Sequence, residues 1–196
     1  MKLNCAKVVC KIVILALLLV SNPLCKGAGT LKAILEDVQC TNQITSMWCW
    51  AASGQMIMAH YGTNVAQCTQ ANLYFNLSDC CIGSDSECVN GGWPQFEKFG
   101  FSYDYTQDTN LQFSEIQAQI NNKCPVAFSW HWLDSEGHDD GGHMMVVYGW
   151  EVSDGIQYVW VHDPHSDNEG LMTYEEYVSG NDHRHWNDFF NITKVR

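Results

Sequence analysis

Basic side chains are what this sequence has least of. Only 10 of 196 residues are Lys or Arg, against 22 Asp and Glu, for a formal charge of −12. Four of the bases, Lys2, Lys7, Lys11 and Lys26, lie in the first 27 residues, which contain no acid; the rest holds 6 bases against 22 acids, a charge of −16. Nucleic acids and anionic membrane surfaces are recognised through cationic patches, so neither is an expected partner. Long apolar runs are missing as well. Ile12–Val20 offers nine such residues, under half of the roughly 20 that span a bilayer. No two cysteines stand at the two-residue spacing typical of zinc ligands. There is no internal repeat, low-complexity tract or second-domain boundary.

What is present begins with a leader. Three lysines ahead of a short apolar run read as a secretory signal peptide ending near Gly27. Pro23-Leu24-Cys25-Lys26 leaves the cleavage point undefined, and Asn22-Pro23-Leu24 is the wrong context for lipid attachment to Cys25. Residues 28–196 then suit one domain with a sizeable core. The expected product is secreted, extracellular or periplasmic, monomeric, and without stable membrane association once the leader is gone. Seven cysteines follow the leader: Cys40, Cys49, Cys68, Cys80, Cys81, Cys88 and Cys124. An odd count in an exported chain leaves a thiol over. If that thiol is Cys49, the other six make three bridges of open connectivity. A zinc site at Cys68, Cys80, Cys81 and Cys88 is the rival, disfavoured by adjacent cysteines and an oxidising compartment.

The most informative stretch is Gln43–Gly62. Cys49 lies between Trp48 and Trp50, and Ala51, Ala52, Met56, Ala59 and His60 follow at helical spacing. Thr45 or Ser46 is the expected cap and Gly62 the left-handed stop. Cys49 thus falls in the first turn, where unpaired N–H groups and the helix dipole favour negative charge on a nucleophile. Gln43, six residues upstream, carries an amide able to reach back towards the sulfur.

This pattern resembles the active-site helix of papain-like cysteine peptidases. Its W-C-W-A-A-S form is similar to that of compact secreted bacterial members, including effector proteases of plant pathogens and bacteriocin-leader peptidases. The run from Gly141 to Trp150 and the block Val161-His162-Asp163-Pro164 match later family blocks in the right order. The resemblance spans about residues 36–193. It implies a papain-like fold, a protein or peptide substrate, and no cofactor or metal. It also implies four site residues: Cys49 as nucleophile, His143 as base, Asp163 holding the imidazole, and Gln43 donating with the Cys49 N–H to an oxyanion. Papain uses Asn where this chain has Asp163.

His143 begins an apolar β run directly after two glycines, which leave room for a substrate backbone. His131, between two tryptophans, reads as a packing or rim residue, His138 as part of a solvated turn, and His162 as a further alternative. His138, Asp139, Asp140 and His143 form only a weak metal-ligand pattern. Trp130, Trp132, Trp150, Trp160 and Trp186 read as core. Helices are expected near 49–61, 69–77, 113–122 (with Ser114 at its start) and 173–178. Strands are expected near 101–106, 126–132, 143–152, 156–162 and 186–193, with a disulfide-held loop from Asp79 to Pro94. Helices first and antiparallel strands later make an α+β chain, its N-terminal helical half packed on a C-terminal antiparallel sheet. Two rival functions remain open: a cell-wall amidase or transglutaminase-like acyltransferase using the same three groups, and a non-catalytic disulfide-rich binding module.

Overall fold

A 15-residue strand, β4 (Asp139–Ser153), is the spine of the molecule. In the computed structural model, which describes residues 30–83, 86–166 and 169–195, it pairs antiparallel with β3 (Val126–Leu133), β5 (Ile156–His162) and β1 (Leu31–Ile34). With β2 (Phe101–Tyr105), β6 (Glu169–Thr173) and β7 (His183–Lys194), seven strands form one sheet among the described residues. Its order is β2-β7-β3-β4-β5-β6, with β1 against β4. The residues between Met144 and Tyr148 are buried without alternation, as expected for a strand covered on both faces.

One of those covers is α1 (Cys49–His60). Trp50, Ala51, Ala52, Ser53, Gly54, Met56, Ile57 and Met58 are all buried. A helix apolar on nearly every side must lie inside the protein. It ends where the sequence places its stop: Gly62 has φ +77, its N–H donates to Ala59 O at 2.8 Å, and Thr63 N–H donates to Met58 O at 2.9 Å. That is a Schellman closure, which needs a left-handed residue that glycine supplies at no steric cost. The start differs from expectation. Trp48 occupies the cap position with no side-chain hydrogen bond to the helix start, so neither Thr45 nor Ser46 caps the helix.

The remaining helices are α2 (Gln67–Phe75), α3 (Phe113–Asn121) and α4 (Tyr174–Val178), with a 3-10 turn at Phe96–Phe99. At α3 the cap residue is Gln112 rather than Ser114, and Glu115 accepts from the Gln112 N–H at 2.7 Å. Strand β6 was not expected. Nor was the extension of β4 back to Asp139, where Leu133 pairs with Asp139 and draws the foreseen turn partly into the sheet.

Among the described residues two disulfides are present, Cys68–Cys81 and Cys80–Cys88. They hold the loop after α2 and take up all four thiols of the rival zinc site. The expected third bridge is not made, since Cys124 is unbridged. The Cys80–Cys88 loop supports the nucleophile helix directly. Trp48 Nε1 donates to Cys88 O at 2.7 Å and Trp50 Nε1 to Asn90 O at 3.2 Å, and both rings are buried. Replacing Cys80 and Cys88 together by Ala should therefore lower unfolding free energy by about 2–4 kcal/mol, read as a shifted denaturant midpoint. An unchanged midpoint would show that the loop holds the two indoles without its bridge.

The expected leader, residues 1–27, lies outside the described residues. No helix among the described residues is long and apolar enough to cross a membrane.

Candidate active site

Cys49, His143, Asp163 and Gln43 all line one cleft of about 910 Å³ between α1 and the sheet. Cys49 is the first residue of α1 and carries an unbridged thiol. The first α-helical bond at this end runs from Ala52 N–H to Trp48 O. The N–H groups of Cys49, Trp50 and Ala51 therefore belong to the set that a helix leaves without internal acceptors. The unbridged sulfur counts against a disulfide-rich binding module that would need Cys49 as a bridge member.

Strand register brings the histidine to its carboxylate. His162, the last residue of β5, lies opposite Val146, and His143 lies opposite Trp130 on β3. Asp163 follows His162, so it reaches His143 along a diagonal of the ladder, a span long side chains can cover. His143 Nε2 donates to Asp163 Oδ1 at 2.6 Å. The other ring nitrogen is left for Cys49, whose side chain favours the charged imidazole. Burial by itself disfavours the imidazolium, but Asp163 and Cys49 together outweigh it and raise the His143 pKa from 6.5 to about 9. Burial pushes the Asp163 pKa upward; the hydrogen bond and charge of His143, with the His165 N–H at 2.9 Å, prevail and hold it below the ordinary carboxylate range.

Gln43 is anchored at the same cleft. Its N–H donates to Pro164 O at 2.8 Å, one residue past Asp163, and its Nε2 donates to Thr45 O at 2.8 Å. Its Oε1 is buried with no hydrogen-bond partner.

The other histidines separate. His162 is buried, with Nε2 on Val38 O at 2.9 Å and its ring stacked 3.9 Å from Tyr148. His138 is 71% exposed beside Asp134. His131 stacks on Trp186 at 3.9 Å and faces Asp139 at 3.5 Å, so it forms part of the cleft wall. Burial, then the nearby Arg184, lowers its pKa, against the raising pull of Asp139 and Asp108. Among the described residues one group of metal-ligating atoms lies close together, Asp79, Cys80 and Cys88. Both of its sulfurs are in a disulfide.

Two expectations about the cleft are corrected. Trp132 and Trp186, read as core, line it, and Trp132 lies nearly parallel to the His143 ring at 6.0 Å. Gly142 does not leave room for a substrate: a Cβ there would meet the Trp186 ring at 2.9 Å and Trp130 O at 3.0 Å. Its missing side chain admits Trp186 instead, whereas Gly141, with φ +97, faces open space.

Ser53 escaped the sequence reading, although its position one turn after Cys49 places it on the same helical face. It is fully buried, and its Oγ donates to Met144 O at 3.2 Å, tying α1 to the residue after His143. Ser53→Ala would leave that carbonyl without this partner. It should cost about 1–3 kcal/mol of stability, measurable by urea unfolding. No measurable loss would mean another donor takes over the carbonyl.

Comparison with known proteins bears on this arrangement. Residues 35–191, more than half the chain, match the model of the Peptidase_C39 like family. The chain belongs to the C39-like peptidase family. It is thus a cysteine-type peptidase, and proteins or peptides are its class of substrate. The fold agrees with that of a crystal structure described as a C39-like peptidase from Bacillus anthracis. The likeness covers 84% of this chain and 99% of that one, at 16% identity and a TM-score of 0.56. The peptidase domain of Streptococcus ComA, described as a bi-functional ABC transporter of a quorum-sensing pathway, is more distant. It has 16% identity, covers 81% of this chain and 99% of its own, and has a TM-score of 0.46. No curated protein sequence matches the chain. The C39-like peptidase is therefore papain-like in fold, α+β, as its sequence predicted.

Proposed function

We propose that this C39-like peptidase hydrolyses peptide bonds through a Cys49–His143–Asp163 triad and a thioester on Cys49. The observation that carries the reading is the His143 ring, bonded to Asp163 Oδ1 at 2.6 Å and sharing one cleft with the Cys49 thiol, which favours its charged form. The resting pair is a Cys49 thiolate and a protonated His143, the charged ring being favoured by its two neighbours.

The sulfur attacks the scissile carbonyl carbon, and the carbonyl π pair moves onto oxygen. The Cys49 N–H at the uncapped helix start and the second Nε2 hydrogen of Gln43 receive that charge; losing one such donor typically costs about 3–4 kcal/mol of transition-state stabilisation. Collapse of the tetrahedral species breaks the C–N bond, and His143 gives its proton to the leaving amine. Water then attacks the thioester while His143 takes its proton. The acid leaves, and thiolate and imidazolium are restored. Asp163 keeps the ring oriented and charged throughout.

Rapid acid quenching during the first turnovers of a peptide ester tests this. Intact mass should show one acyl group, mapped to Cys49. Steady product formation with Cys49 never acylated would overturn the thioester route.

We also read the chain as exported, on the strength of its lysine-flanked leader and the two disulfides among its described residues. N-terminal sequencing of protein recovered from the medium checks this and locates the cleavage site.

A further inference from the structure

We infer that Gln67 is the positioning residue of the oxyanion donor, clamping the two peptide groups that flank Gln43. The inference rests on the oxyanion role given to Gln43 above. Gln67 opens α2 beside the bridged Cys68, and its side chain is fully buried. Its amide is used twice on one short stretch: Oε1 accepts from Ile44 N–H at 2.9 Å and Nε2 donates to Asn42 O at 2.8 Å. Those groups belong to the peptide planes on either side of the Gln43 Cα. One planar carboxamide therefore fixes both backbone torsions of Gln43, as a neighbouring strand would. The remaining Nε2 hydrogen reaches Gln55 Oε1 at 3.2 Å, and Gln55 lies on α1. The clamp is thus referred to the helix that carries Cys49, while the Gln43 N–H is held by Pro164 O, next to Asp163.

The side chain of Gln43 shows why such holding is needed. It keeps Oε1 buried and unpartnered, an unfavourable state for a polar atom. A free loop would rotate to relieve it. A backbone pinned from both sides cannot, and the amide hydrogens stay directed at Thr45 O and the cleft.

The test uses Gln67→Met, which keeps the volume and removes the hydrogen bonds, in the full chain and in a Gln43→Ala background. Displacing a reacting group by about 1 Å can cost 10²-fold, so kcat on a peptide substrate should fall about 10- to 100-fold with KM within about twofold. Alkylation of Cys49 by iodoacetamide develops no oxyanion, so its rate should not change. In the Gln43→Ala background, Gln67→Met should cost less than about threefold, because the donor it positions is already gone. The inference is overturned if kcat is unchanged, if the two losses multiply in full, or if alkylation slows in step with kcat. In the unaltered protein the Ile44 amide should be protected from hydrogen exchange. Rapid exchange there overturns the clamp whether or not Gln67→Met folds. If Gln43→Ala retains full kcat, the oxyanion role falls and the inference with it; if Gln43→Ala is impaired and Gln67→Met is not, the inference alone falls.

Discussion

Cys49→Ala is expected to lower kcat for peptide hydrolysis by about 10⁶-fold, the scale at which loss of a covalent nucleophile disables a triad acting as a unit. The fold should survive, since Cys49 makes no disulfide and Ala is the best helix former at an α1 position. A second consequence follows from electrostatics. The sulfur is one of two groups that raise the His143 pKa to about 9; without it, burial opposes Asp163 alone and the pKa should fall. Two-dimensional NMR of the imidazole in the variant reads this directly. Undiminished cleavage by Cys49→Ala would remove the enzyme mechanism altogether, and an unmoved His143 titration would remove its pairing with the sulfur.

His143→Ala should cost about 10²–10⁴-fold in kcat, the usual contribution of a positioned general acid and base. The pH profile gives the sign. His143 must be protonated to hold the thiolate and to release the amine, and its charged form persists up to about pH 9. Activity should therefore be retained through neutral pH and decline on an alkaline limb near 9. Asp163→Asn removes the carboxylate whose hydrogen bond is the largest single influence raising that pKa, so the limb should move to lower pH as kcat falls. Asp163 itself is held below the ordinary carboxylate range and stays charged across the working range. A profile in Asp163→Asn with its alkaline limb still near 9 would mean that Asp163 does not support the charged ring.

Much of this site was legible in the chain because its signals are local. A cysteine ahead of an apolar helical run, with Gly62 to end it, reports the nucleophile helix from sequence alone, and the Schellman bonds at Gly62 realise that reading. The odd cysteine count also pointed to an unbridged sulfur, but it overcounted the bridges. Pairing depends on which Cβ atoms approach within about 4.5 Å, a matter of tertiary packing, and Cys124 is unbridged. The tryptophans misled for a related reason. Trp132 and Trp186 have core composition, yet Trp186 lies in the cleft wall because Gly142 opens a space its ring fills.

The sequence by itself determined an acidic chain of one papain-like domain, the helix that presents Cys49, and the identity of the four side chains proposed to act. Charge and helix follow from composition and helical period; the fold and the four side chains follow from the resemblance to papain-like motifs in their order along the chain. Only the tertiary structure decided how they meet. The β4–β5 register carries Asp163 diagonally to His143, the Ser53 hydrogen bond ties the helix to β4, and Gln67 reaches across 23 residues to the peptide groups around Gln43. Such contacts are set by packing between distant segments, and a buried amide or hydroxyl leaves no periodic trace in the sequence that needs it.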